Sequence, residues 1–232
     1  MNLLSEVESK SFRTFTLFTF VVLIILGFVV SIFSSKYRVS IINYDSELNL
    51  NYEELKGIEN LSIWLVNDNN FEKFYLDNQS VENLESSKQL PDIINININM
   101  HQKIILFTDF RESSPEQRVL YKNLYIDDDI SGKDIANLVI TNGPIDDGFY
   151  SEIISFILTV EKYEVDLSEV SMTFDGDVLF INYLDTTIDA GKAVDLSRKG
   201  SVVGYILENE DCKGRVKILE SSIEDVETLF NC

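Results

Sequence analysis

The residues with chemical potential are few. The chain has one histidine, His101, placed between two strand-like segments. A general base must reach the proton it removes with a partner holding it in place, and the sequence supplies no Ser-His-Asp ordering, glycine-rich phosphate loop or HExxH helix around it. His101 therefore reads as a turn or surface imidazole. Asp127-Asp128-Asp129 with Asp134 offers the oxygen ligands a hard cation prefers, but it lacks the alternating ligands and the glycine of a calcium loop. It reads as a solvated acidic turn. Cys212 and Cys232 allow one bridge, which would tie the C-terminal segment to the preceding strands in an oxidising compartment; two free thiols fit equally well. No set of histidine or carboxylate partners at metal-ligand spacing accompanies them. The expectation is of no catalytic residue, no cofactor and no metal.

A chain without catalytic groups acts by binding and by position, and position is set by its first element. Thr14 to Ser35 is uncharged and lies between Arg13 and Lys36. As a helix it measures about 33 Å, against roughly 30 Å of bilayer hydrocarbon. It is apolar on every side, unlike an amphipathic core helix. Its core from Phe15 to Phe33 is long for a signal peptide, and Ser34-Ser35 makes a poor cleavage site. Residues 14–35 are expected to be an uncleaved transmembrane helix behind a cytoplasmic tail of residues 1–13. The flanking cations, Lys10 and Arg13 before and Lys36 and Arg38 after, discriminate orientation weakly.

A net charge of −20 opposes binding to nucleic acid, which depends on cationic side chains displacing counterions. It also opposes adsorption of the remaining chain to anionic lipid. The 45% hydrophobic content and scarce proline support a folded region with proteins as partners. An acidic surface that simply keeps the domain soluble accounts for the charge equally well.

After the span, residues 38–42 read as a strand, and Tyr52-Glu53-Glu54-Leu55 as a short helix with Asn51 as N-cap and Gly57 past its end. Ser62-Ile63-Trp64-Leu65-Val66 is ambiguous, and residues 80–85 read as a helix start. Ile94-Asn95-Ile96-Asn97-Ile98-Asn99-Met100 alternates strictly and is the plainest strand. His101-Gln102 would turn it into an antiparallel Lys103-Ile104-Ile105-Leu106-Phe107. The result is a small βααββ module over residues 37–112.

Residues 116–221 read as a larger β-rich domain with helices on one face. Its strands fall at 123–126, 138–141, 170–174 and 178–183, the last two joined by an Asp175-Gly176 turn. The best helix runs over residues 149–163. A helix at 190–196 and closing strands at 202–207 and 215–219 follow, and the acidic C-terminal tail, residues 222–232, reads as a helix over residues 222–230.

This α+β order resembles the FtsQ/DivIB family of bacterial cell-division proteins. The resemblance is carried by Ser62-Ile63-Trp64-Leu65-Val66-Asn67 and Leu90-Pro91-Asp92-Ile93 in the first module, and by Leu124-Tyr125-Ile126 entering Asp127-Asp128-Asp129. Asp175-Gly176-Asp177-Val178-Leu179-Phe180, a lysine-bearing helix with Lys192, and Lys213-Gly214-Arg215-Val216-Lys217-Ile218 complete it. The chain departs from the family where Arg111-Glu112-Ser113-Ser114-Pro115 replaces Glu-Arg followed by Pro and Ala. The resemblance implies a POTRA module beyond the membrane and a non-enzymatic scaffold of septum assembly. Its implied partners are other single-pass division proteins, FtsL/DivIC-like and FtsB-like, bound by strand addition at an open sheet edge. By the same analogy that edge involves Tyr205, Ile206, Val216, Ile218 and Leu219.

The alternative of a different class is an anchored sensor or adhesin, with a pocket lined by Trp64, Phe74 and Tyr75. Asn60-Leu61-Ser62 and Asn78-Gln79-Ser80 fit the N-glycosylation pattern, which would matter only in a eukaryotic host.

Overall fold

The computed structural model describes residues 3–44, 50–128, 130, 135–208, 214–221 and 225–231. The chain divides into two compact units, Met1–Met100 and His101–Cys232. It is a mixed α+β protein with one N-terminal apolar helix and a large sheet.

The first unit begins with helix α1, Leu3–Phe33. Its window Phe15–Phe33 has a mean hydropathy of 2.8 and 0% of it is buried, so by length and composition it can cross a membrane. A 3-10 turn, Ser35–Tyr37, follows, with the Ser34 hydroxyl accepting from the Lys36 N–H. Strand β1, Ile41–Asn43, comes next. Two 3-10 segments, Glu53–Ile58 and Asp68–Phe71, lead to a short helix α2, Glu72–Asp77. The Asn51 side chain accepts from the Glu53 N–H, but the N-cap position falls to Tyr52 rather than to Asn51, and Gly57 lies inside the first of these segments rather than past its end. Strands β2, Val81–Gln89, and β3, Ile93–Met100, complete a sheet of order β1-β3-β2. β1 runs parallel to β3 and β2 antiparallel to it. Ile94, Ile96 and Ile98 all turn into a core with Val39, Leu55, Ile58, Phe71 and Phe74, as the alternation requires. On the other face asparagines pair across strands, Asn43 to Asn95 at 2.8 Å and Asn99 to Asn83 at 2.7 Å.

Two expectations are corrected here. Of residues 80–85, expected to start a helix, 81–85 form the start of β2, because pairing along β3 overrides a weak helical preference. The expected hairpin between residues 94–100 and 103–107 does not form: Lys103–Asp109 is strand β4 of the second unit's sheet. Ile104, Ile105, Leu106 and Phe107 are all buried. Such a run suits an interior strand covered on both faces, not a half-wet hairpin arm.

Among the described residues, the second unit forms a nine-stranded sheet of order β12-β11-β10-β9-β8-β7-β4-β5-β6. After β4 come β5, Gln117–Tyr121; β6, Ile126–Asp127; and β7, Ala136–Ile140. Helix α3, Asp147–Val160, leads to β8, Val170–Phe174, and then to β9, Val178–Tyr183. Strand β10, Thr186–Lys192, precedes helix α4, Leu196–Glu208, which leads to β11, Gly214–Ser221, and β12, Asp225–Asn231. The connections through α3 and α4 are crossovers, since β7 is parallel to β8 and β10 to β11. Both helices share one core with the sheet, including Ile153, Phe156, Ile157, Val203, Ile206, Leu138, Met172 and Ile181. Leu106, Val119 and Tyr121 form a separate small cluster.

The Asp175-Gly176 hairpin is present, with Gly176 at φ 104° and Asp175 accepting from the N–H groups of Asp177 and Val178. Four other expectations fail. Of the strand expected at 123–126 only Ile126 is in a strand, β6, because the chain turns at Leu124, which has a φ of 69°. The segment from Ala190 belongs to β10, so Lys192 ends a strand and does not sit on a helix. Residues 202–207 are helical: their β-branched content suggests a strand, but Val203, Ile206 and Leu207 join Leu196, Lys199 and Gly200 in one buried helical stripe. The tail segment Asp225–Asn231 is a strand because β11 offers it a partner in continuous register, from Arg215 with Asn231 to Ser221 with Asp225. The Cys212 and Cys232 pair lies outside the described residues, as do Asp129 and Asp134.

Candidate partner-binding surface

The C-terminal side of the large sheet is built by β10, α4, β11 and β12. α4 sits close to α3 because Gly200 and Gly204 present no side chain. A Cβ at Gly204 would lie 2.2 Å from the Tyr163 ring, and one at Gly200 would lie 3.0 Å from the Phe156 carbonyl oxygen. Glu152 of α3 accepts from the Leu196 N–H at 2.7 Å, satisfying a donor at the start of α4. Lys199 is buried and its ammonium donates to the Lys192 carbonyl at 2.7 Å, joining α4 to the end of β10.

The five expected binding residues separate on this frame. Tyr205 and Ile206 lie on α4, with Tyr205 60% exposed and Ile206 turned into the core. Val216 and Ile218 are on β11 and buried, and Leu219 pairs with Glu227 of β12. β11 has partners on both sides, β10 and β12, so it offers no edge for another strand. The edge belongs to β12, one strand further out. The available signal was the β-branched and aromatic content of Val226, Thr228 and Phe230, and the acidic Asp225 and Glu227 beside them concealed it.

A second grouping lies at the carboxyl ends of β4, β7 and β8. Asp109 is buried, and its Oδ1 accepts from the Arg111 N–H at 3.0 Å and from Arg111 Nε at 2.8 Å, while Oδ2 accepts from Nη2 at 2.5 Å. Arg111 also donates to the Gly143 carbonyl. Gly143 and Gly176 both have positive φ, and a Cβ on Gly143 would sit 2.3 Å from the Gly176 Cα, so two turns meet backbone to backbone. The Arg111 guanidinium holds the Asp109 carboxyl below the ordinary carboxylate range. Both oxygens are engaged, so the pair locks the sheet's end and is not poised for proton transfer.

An open cleft of about 420 Å³ is lined by residues including Asp146, Phe149, Glu152, Phe174, Asp177 and Lys192. Two of its carboxylates serve as helix caps: Asp146 accepts from the Phe149 N–H at 2.9 Å, and Glu152 from Leu196. Among the described residues, no three His, Cys, Asp or Glu side chains gather as metal ligands. His101 lies half-exposed between β3 and β4. The aromatics of the alternative reading do not converge. Phe74 is core, the Tyr75 hydroxyl accepts from the Leu84 N–H, and Trp64 packs against Tyr37 and Phe28.

Among known proteins, no protein-family model and no curated protein matches this chain.

Proposed function

We propose that this chain is a membrane-anchored, non-enzymatic scaffold of the bacterial division machinery, of the FtsQ/DivIB kind. In this reading α1 crosses the cell membrane once, with its N-terminus cytoplasmic. The part of the first unit that follows the span is the POTRA-like module, on the order strand, helical segments, strand, strand. The second unit carries the binding edge. FtsL/DivIC-like and FtsB-like partners add a strand to it.

The observation that carries the reading is the end of the large sheet. The last segment of the chain, Asp225–Asn231, forms its terminal strand, and among the described residues no strand pairs with the other side of β12. An edge strand presents a row of backbone donors and acceptors, which is a template for another chain unless it is blunted. A membrane anchor confines that edge to a thin layer, raising its effective concentration toward other single-pass proteins.

A fluorescent fusion of the full chain, imaged in dividing cells of its host, tests the proposal. Enrichment at mid-cell before constriction is expected. A uniform envelope signal through division would remove the division role, whatever the edge binds.

A further inference from the structure

The only tryptophan of the chain lies where the apolar helix meets the first folded unit. We propose that the turn carrying Trp64 and Leu65 inserts into the headgroup boundary of the bilayer and fixes the first unit against the lipid surface. This rests on reading α1 as a bilayer span. It does not depend on orientation.

Three observations carry it. The first is continuity, because backbone bonds stitch the helix end to the turn: Tyr37 N–H to the Ser34 carbonyl at 3.2 Å, Ile63 N–H to the Tyr37 carbonyl at 2.8 Å, and Val39 N–H to the Leu61 carbonyl at 2.9 Å. Arg38 bridges Ser62 and donates to the Asn60 carbonyl at 3.0 Å. No flexible linker separates span from fold.

The second is depth. The Trp64 ring lies 6.2 Å from the Phe28 ring and 5.8 Å from that of Tyr37. The apolar window ends at Phe33, so Phe28 sits about 7.5 Å inside it at the helical rise. A side chain against Phe28 is therefore at the level where indole rings concentrate, with an apolar body toward the acyl chains and an N–H toward water.

The third is composition. Trp64 is 37% exposed and Leu65 56% exposed on a tight turn closed by the Leu65 N–H to the Ser62 carbonyl. Lys36 and Arg38 follow the end of the apolar window by three and five residues and match lipid phosphate in charge. Exposing two large apolar side chains to water beside a bilayer is unfavourable when the boundary can take them. The consequence is a module held at a set angle to the membrane plane.

The full-length chain, reconstituted into phosphatidylcholine vesicles, reports on itself through Trp64 fluorescence. The expected result is blue-shifted emission that loses most of its intensity with phosphatidylcholine brominated near the glycerol end of its acyl chains. Loss should be smaller with bromine near the methyl end, and aqueous iodide should quench weakly. Strong iodide quenching without bromolipid quenching overturns the proposal, and so does shielding from both, which would mean cover by protein. A Trp64→Phe chain carrying Phe20→Trp monitors the span separately. If that reporter is quenched by the deep bromolipid while Trp64 is not, the span stands and the insertion fails. If it too escapes bromolipid, the spanning reading fails and takes the insertion with it.

Discussion

Asn78 shows how a residue that looks like a modification signal can be a structural tie. It is buried; its Oδ1 accepts from the Asn51 N–H at 2.7 Å, and its amide donates to the carbonyls of Asn51 at 3.0 Å and Phe74 at 2.9 Å. Asn78→Ala leaves three backbone groups without this partner and should lower stability by about 1–3 kcal/mol, read as a shifted urea midpoint with unchanged slope. The Asp109–Arg111 pair acts in the same way and adds a pH signature. Because the folded-state pKa is depressed, its stabilisation is present above the unfolded value near 3.8 and is lost as pH falls through the lower folded value. Asp109→Asn should cost roughly 2 kcal/mol at neutral pH. It should also flatten the fall in urea midpoint between about pH 5 and about pH 3. A variant with the same steep acid fall as the parent would show that other carboxylates carry it.

At the scale of elements, α4 is where sequence and structure part most usefully. Gly200 and Gly204 bracket Val202-Val203, part of the segment that reads as a strand, yet their spacing of four is what lets α4 approach α3. Gly204→Ala should destabilise by about 1–3 kcal/mol, because overpacking against Tyr163 outweighs the helical gain of alanine. Adding Tyr163→Ala should recover part of that loss, a coupling that thermal unfolding of the four-member cycle measures. The apolar span, the alternation of residues 94–100, the Asp175-Gly176 turn and α3 were legible because each is fixed by local pattern. β2, β10 and β12 were not, since each owes its conformation to a neighbour distant in sequence. The candidate edge failed for the same reason: whether β11 ends the sheet depends on what Asp225–Asn231 does, and its acidic residues suggest a helix in isolation.

For the whole molecule, position is the proposed function: one span would confine the chain to a membrane, and a sheet edge built from Asp225–Asn231 would recruit other confined chains. That claim is tested most directly by two neighbouring proline substitutions, Glu227→Pro and Thr228→Pro, in the full-length protein. Along an edge strand successive N–H groups point alternately inward and outward, so one proline breaks a ladder bond to β11 while the other removes only an outward donor. The outward proline should leave the thermal midpoint near that of the parent, yet abolish co-purification of single-pass division partners from detergent-solubilised host membranes. Recovery of the same partners at parental yield by the stable proline variant would contradict strand addition at β12.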